Sequence, residues 1–165
     1  GTAFHSVLEN ATEGELLEEV DENGFRFVFK CDTAIHVPQL AEIRGRREFK
    51  IGDVRVALSG KCDAIDGTVV RDYKTSKNMD PEKFFGSYQW RAYLDIFDAD
   101  TFEYRMFQLK QKQDKRSKAD EVIRVEVVAA DEFRLHRYPG MRADLIEGLN
   151  DFVDFAKLHL PERFE

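Results

Sequence analysis

Between Glu48 and Lys74 the chain passes through three short strand-like segments with two turn dipeptides among them, Gly52-Asp53 and Asp66-Gly67. Glu48 to Ile51 and Val54 to Leu58 are predicted to form a hairpin across Gly52-Asp53, and Thr68 to Lys74 is predicted as a third strand after the second turn. Such a group has an apolar face that must be covered, which calls for helices packed on a sheet.

The flanking sequence supplies them. Phe4, Leu8, Leu16 and Leu17, set among glutamates from Thr2 to Val20, fit one or two short amphipathic helices. Asp80-Pro81 offers an N-cap and a first-turn proline for a helix reaching about Phe97. Thr101 to Leu109 and Glu121 to Ala129 are predicted as two further strands, joined by the polar stretch Lys110 to Asp120. Leu145, Leu149, Phe152 and Ala156 recur at helical spacing after a break at Pro139-Gly140. Phe25, Phe27 and Phe29 alternate as in a strand while their surroundings also fit a helix, so residues 21 to 43 stay open between the two. The order of helix, three strands, helix, strand, strand, helix gives an α/β fold, a mixed sheet flanked by helices. No repeat or linker divides it, and residues 1–165 are expected to form one domain.

The 165 residues, 42% of them hydrophobic, are enough for a buried core. No stretch approaches the roughly 20 apolar residues of a membrane helix, and no signal peptide opens the chain, so a cytoplasmic protein without membrane association is expected. The chain begins at Gly1, as expected of a trimmed or tagged form or of a piece cut from something longer. Two cysteines, Cys31 and Cys62, are too few for a four-thiolate site, and both read as reduced core residues. The formal charge of -7 weighs mildly against a nucleic-acid partner, which normally meets a basic surface, although acidic groups around a cation coexist with local basic patches.

The chemistry concentrates on the third strand. Asp72 and Lys74 are two residues apart and project from the same side. On the strand before, Val54, Val56 and Leu58 share one face and Arg55, Ser59, Lys61 and Asp63 the other. Pairing through Asp66-Gly67 then brings Asp63 near Asp72. Two neighbouring carboxylates repel unless a cation lies between them, and hard oxygen donors suit Mg2+ or Mn2+, as one ion or two. A lysine beside that cation can orient or deprotonate water and offset charge on a phosphoryl transition state. The Asp-x-Lys spacing alone is unspecific, and Glu48-Phe49-Lys50 repeats its form. Glu48 reads equally as a further acid directed at the metal or as a strand residue paired with Lys or Arg.

Taken together, Gly1-Thr-Ala-Phe-His5-Ser-Val-Leu-Glu9, Gly60-x-x-Asp63, Asp72-Tyr73-Lys74-Thr-Ser and Gln89-x-x-x-Tyr93-Leu resemble, in order, the motifs of the PD-(D/E)XK nuclease superfamily and, within it, the RecB-like exonucleases. The resemblance spans residues 1 to about 110. It implies a core of helix, three strands, helix and strand, here with an extra strand and a C-terminal helix. It also implies a nuclease using Mg2+ or Mn2+ on DNA, with exonuclease action on single strands or ends, working in repair or recombination, with a helicase or recombination partner in a bacterial or phage setting. By position, His5 matches the group's extra metal ligand, Asp63 and Asp72 the acidic ligands, the Tyr73 carbonyl a further ligand, and Lys74 the catalytic lysine. Gln89 and Tyr93, on one helix face, match the motif that lines the site and contacts substrate. Some members carry a four-cysteine iron-sulfur cluster; with two cysteines, no such cluster is expected here.

Two basic groups, Lys110, Lys112, Lys115, Arg116 and Lys118 in one inter-strand stretch and Arg44, Arg46 and Arg47 in another, read first as solvated charge and second as DNA-backbone contacts. Two rival functions remain: a non-catalytic module of the same fold binding nucleic-acid ends or a helicase partner, and a metal-dependent phosphoesterase acting on nucleotides or RNA.

Overall fold

A computed structural model describes residues 2–33, 36–78, 80–111 and 122–164. Its elements are α1 (Thr2–Glu9), β1 (Glu19–Glu22), β2 (Phe25–Phe29), β3 (Leu40–Ile51), β4 (Val54–Asp66), β5 (Val69–Ser76), α2 (Glu82–Phe85), α3 (Tyr88–Ile96), β6 (Thr101–Gln111), β7 (Ile123–His136) and α4 (Met141–His159). The seven strands form one sheet in the order β1-β2-β7-β6-β5-β4-β3. β2/β7 and β5/β6 run parallel and the other neighbours antiparallel. The mixed sheet flanked by helices is the expected α/β architecture. No described helix is long and apolar enough to cross a membrane.

Several elements differ from the sequence reading. The first helix stops at Glu9, and Glu19 to Glu22 instead pairs with Phe25 to Phe29 across Asn23-Gly24, two residues with positive φ of 49° and 78°. Such a turn matches the twist of a hairpin. β2 then adds to β7, about a hundred residues away in the chain, which puts Phe27 edge-on to Phe4 with ring centroids 5.3 Å apart. The second helix is two pieces divided at Gly86, and α3 begins afresh where the Ser87 side chain accepts the Gln89 N–H at 3.1 Å. β3 starts at Leu40 and pairs with β4 from Ile51↔Val54 back to Leu40↔Ile65, a ribbon longer than the one predicted.

The core lies on both sides of this sheet. On one side Phe4, Val7 and Leu8 of α1 cover Ala64, Tyr73, Phe107 and Val127. On the other, Trp90 and Leu94 of α3 cover Cys62, Val70, Phe102, Tyr104 and Met106. Leu145, Leu149 and Val153 of α4 close the far end over Phe49 and Ile51. Arg47 is a fold residue: it donates to the fully buried Asp95 of α3 at 3.2 Å, and Arg142 of α4 reaches the same carboxylate at 3.2 Å. Breaking one partner of such a buried group leaves the rest uncompensated.

Two glycines paired across β3 and β4, Gly45 and Gly60, make the seat for α3. A Cβ at Gly60 would lie 2.4 Å from the Tyr93 ring, and one at Gly45 2.4 Å from Ile96 Cγ2. Gly60→Ala and Gly45→Ala should each cost about 1–3 kcal/mol in urea unfolding through overpacking. Gly86→Ala, which meets nothing within 4 Å at an ordinary φ of -74°, should be close to neutral. Equal stability of all three variants would contradict the close fit of α3.

Candidate active site

β4 and β5 leave their turn as ladder partners for three pairs only, Asp66↔Val69, Ile65↔Val70 and Ala64↔Arg71. Asp63 and Asp72 are the first residues beyond. The parting originates in β4, where Cys62 packs beneath α3 and Ala64 beneath α1, although residues two apart on a regular strand share a face. The alternation slips at Asp63, whose cross-strand neighbour Glu42 has a φ of 58° and drops out of the β3/β4 register. Local irregularities of this kind re-aim side chains. Simple alternation, which groups Asp63 with Arg55, Ser59 and Lys61, therefore fails across this point. The Asp63 carboxylate turns into the opening, and its Oδ2 accepts the Tyr73 N–H at 2.7 Å.

His5 arrives from the α1 side. Its Nε2 lies 3.0 Å from the Tyr73 carbonyl, which makes that nitrogen the donor, and its Nδ1 is 3.8 Å from Asp63 Oδ1. Asp72 and Lys74 project toward α3, with Lys74 Nζ 2.6 Å from Asp72 Oδ2, while Gln89 of α3 donates from Nε2 to Asp72 Oδ1 at 3.2 Å. Asp72 is only 5% exposed. Burial pushes its carboxyl above the usual carboxylate range, Lys74 pulls it down, Asp63 pushes it further up and His5 opposes.

One atom sets the chemistry. Asp72 Oδ2 is buried and, although the ammonium of Lys74 is close, it receives no hydrogen bond of regular direction. A second carboxylate, a peptide carbonyl and an imidazole lie nearby, so the donor chemistry fits a hard divalent cation. The fit is one of donor type and not of a ready cage. Among the described residues no three His, Cys, Asp or Glu side chains converge as a ligand cluster. His5 and Asp63 are engaged by the backbone carbonyl and N–H of Tyr73, and Asp72 by Lys74 and Gln89.

The other sequence candidates divide. Gln89 touches Asp72 directly. Tyr93 acts one step away: its hydroxyl donates to the Lys61 carbonyl at 2.9 Å and its ring covers Gly60, fixing β4 just ahead of Asp63. Of its two readings, Glu48 takes that of a strand residue paired with a cation. It pairs with Arg46 at 2.8 Å on the exposed side of β3 opposite Ala57. That is six residues beyond Glu42, about 20 Å along the strand, because β3 is long enough to carry it to the other end. Lys110 is exposed near the end of β6, and Lys112, Lys115, Arg116 and Lys118 lie outside the described residues. Sequence reasoning missed Tyr104, which stands opposite Asp72 on β6, fully buried and with no hydrogen bond of regular geometry at its hydroxyl. Burial, reinforced by Asp72, pushes the pKa of that phenol well above its ordinary value. The alternation of Phe102, Tyr104 and Met106 is the signal that could have placed it on this face.

The model of the PD-(D/E)XK nuclease superfamily matches residues 24–157, a span that holds Asp63, Asp72, Lys74, Gln89 and Tyr93 and begins after His5. Among solved structures the chain is similar to the crystal structure of SSO0001, with a TM-score of 0.51 and 17% identity, over 72% of this chain and 50% of that one. The likeness is one of fold, and this chain spans about half the length of that protein. No curated protein matches.

The folded state holds the Asp72 proton more tightly than the unfolded chain does. The ionised carboxylate therefore costs stability, and the cost grows as pH rises above the ordinary carboxylate range. In chelator at neutral pH, Asp72→Asn should raise the thermal midpoint and flatten the decline in stability between acidic and neutral pH. A lowered midpoint would mean that the pairing with Lys74 outweighs burial.

Proposed function

The chain belongs to the PD-(D/E)XK nuclease superfamily, and from that premise we propose that it is a divalent-metal-dependent deoxyribonuclease of RecB-like exonuclease type, hydrolysing phosphodiester bonds of DNA strands or ends. The observation that carries the reading is the buried carboxylate of Asp72, held between the Lys74 ammonium, 2.6 Å from its Oδ2, and the nearby Asp63 carboxylate. Nucleases of this superfamily generally use divalent metals such as Mg2+.

In this reading Asp63, Asp72 and the Tyr73 carbonyl hold Mg2+ or Mn2+, with His5 contributing from α1. When bound, the cation supplies Lewis-acid polarisation of the phosphoryl group and acidification of a water molecule. The chain's own groups do the remainder. Lys74 Nζ, held beside Asp72, donates to a non-bridging phosphoryl oxygen as negative charge builds there. Gln89 holds Asp72 Oδ1 in one orientation, so that Oδ2 stays directed into the site. Tyr93 keeps β4 in place through Lys61 and Gly60. A helicase or recombination partner and a cytoplasmic setting belong to the RecB-like reading.

A second reading, a non-catalytic module of the same fold, is favoured by one observation: the three candidate side-chain ligands do not converge among the described residues. End-labelled single- and double-stranded DNA, incubated with Mn2+, Mg2+ or chelator, separates the two. Cleavage that requires the metal, and that falls about a hundredfold or more in Lys74→Ala, is the expected result. Cleavage in chelator, or at the parent rate in Lys74→Ala, would contradict the assignment, and binding without cleavage would support the module.

A further inference from the structure

The chain carries a formal net charge of -7, yet the outward face of the β3/β4 ribbon is cationic. Arg44, Arg46, Glu48 and Lys50 alternate outward on β3, and Arg55, Ala57, Ser59 and Lys61 on β4, all exposed, while the opposite face is buried beneath α3 and α4. The register sets Arg44 beside Lys61, Arg46 beside Ser59 and Lys50 beside Arg55. Five cations thus share a surface with two acids, Glu48 and, at its base, Glu42. Glu48 engages Arg46, and Glu42 at the ribbon's base engages Lys61. Arg44, Lys50 and Arg55 have no ion-pair partner among the described residues. Elsewhere arginines are consumed by the fold, as with Arg71, Arg105 and Arg134 on Glu103 and Arg142 on Asp95.

The direction of this row matters as much as its charge. Cys62 faces α3, so Lys61 and the outward residues before it lie on the side of the sheet that α1 occupies. That is the side from which His5 enters, and the row ends at Lys61, two residues short of Asp63. Outward residues on one strand repeat about every 6.8 Å. A B-form DNA strand presents a phosphate charge about every 3.4 Å along its axis. The face is two strands wide, or about 5 Å between strands, and its cations extend about 20 Å from Arg55 to Lys61.

We propose that this outward face is a track for the sugar-phosphate backbone of one DNA strand, leading it along β4 to the opening beside Asp63. The proposal rests on the nuclease reading, and it adds a surface that leads up to the reacting groups without being one of them. The cations position the backbone without reading bases, so binding there is insensitive to sequence and steeply dependent on salt.

The test uses the full chain carrying Arg44→Gln, Lys50→Gln and Arg55→Gln together, with unchanged circular dichroism and thermal midpoint as the check on folding. Binding of a fluorescein-labelled single-stranded oligonucleotide is followed by anisotropy in chelator across a salt series. Hydrolysis of the same oligonucleotide and of bis(p-nitrophenyl) phosphate is followed in Mn2+. The expected result is at least a tenfold loss of affinity at low salt and a salt slope shallower by about 2, at about 0.7 for each phosphate no longer neutralised. The oligonucleotide KM should rise, with kcat and small-diester hydrolysis unchanged. Unchanged affinity and slope, with cleavage intact, would overturn the track and leave the nuclease reading standing. A parent chain that hydrolyses neither substrate, yet loses DNA affinity in the triple variant, would overturn the nuclease reading and support the track. Competition by polyglutamate as effective as that by DNA would overturn the assignment to a nucleic-acid backbone.

Discussion

A sheet that opens must find other partners for the peptide groups it exposes, because buried backbone donors and acceptors left unmatched are costly. Between β4 and β5 the opening falls at Tyr73, and both backbone polar groups of that residue are matched by candidate ligands: Asp63 accepts from its N–H and His5 donates to its carbonyl. The irregularity at Glu42 and Asp63 produces this arrangement by turning β4 from one packing face to the other. Without it β4 and β5 would continue as a ladder, and Asp63 would point outward with Lys61. The site is in this sense a fault in the sheet, stabilised by the side chains placed to use it.

Helices on opposite faces then reach the same gap. α1 is held by Phe4 against Phe27 and Phe107, with ring centroids 5.3 and 4.9 Å away, which delivers His5 from one side. α3 is held down by the glycine pair and by Asp95 with Arg47 and Arg142, which delivers Gln89 from the other. The buried Asp72 sits between a cation, an amide and a second carboxylate, an environment that raises its proton affinity and leaves Oδ2 without a directed donor. Such a carboxylate is poorly solvated when charged, and this is the condition in which a bound divalent ion gains most.

Much of this is legible from local pattern. The alternation from Val54 to Lys61, the two glycine turns and the break at Pro139-Gly140 each act over a few residues, so most of β4, β5 and α4 and the shared face of Asp72 and Lys74 follow from the sequence. What the sequence conceals depends on distant partners. β2 takes its strand form beside β7, Arg47 is decided by Asp95 on a helix about fifty residues later, and Glu48 is carried away by a strand whose length is set by the whole ribbon. Asp63 stands out in the sequence for its place near a turn, but the reason it reaches the opening is a positive φ at Glu42, a residue with no glycine or asparagine to announce it.

The central claim is that Asp63 and Asp72 together form a divalent-cation site at this opening. Titration of the full chain with Mn2+, read by the electron paramagnetic resonance signal of free ion, tests it apart from any cleavage. The expected result is saturable binding in the parent chain and its loss in both Asp63→Asn and Asp72→Asn, with the folds of these variants unchanged. Binding that persists undiminished in both variants, or no binding by the parent chain, would contradict it.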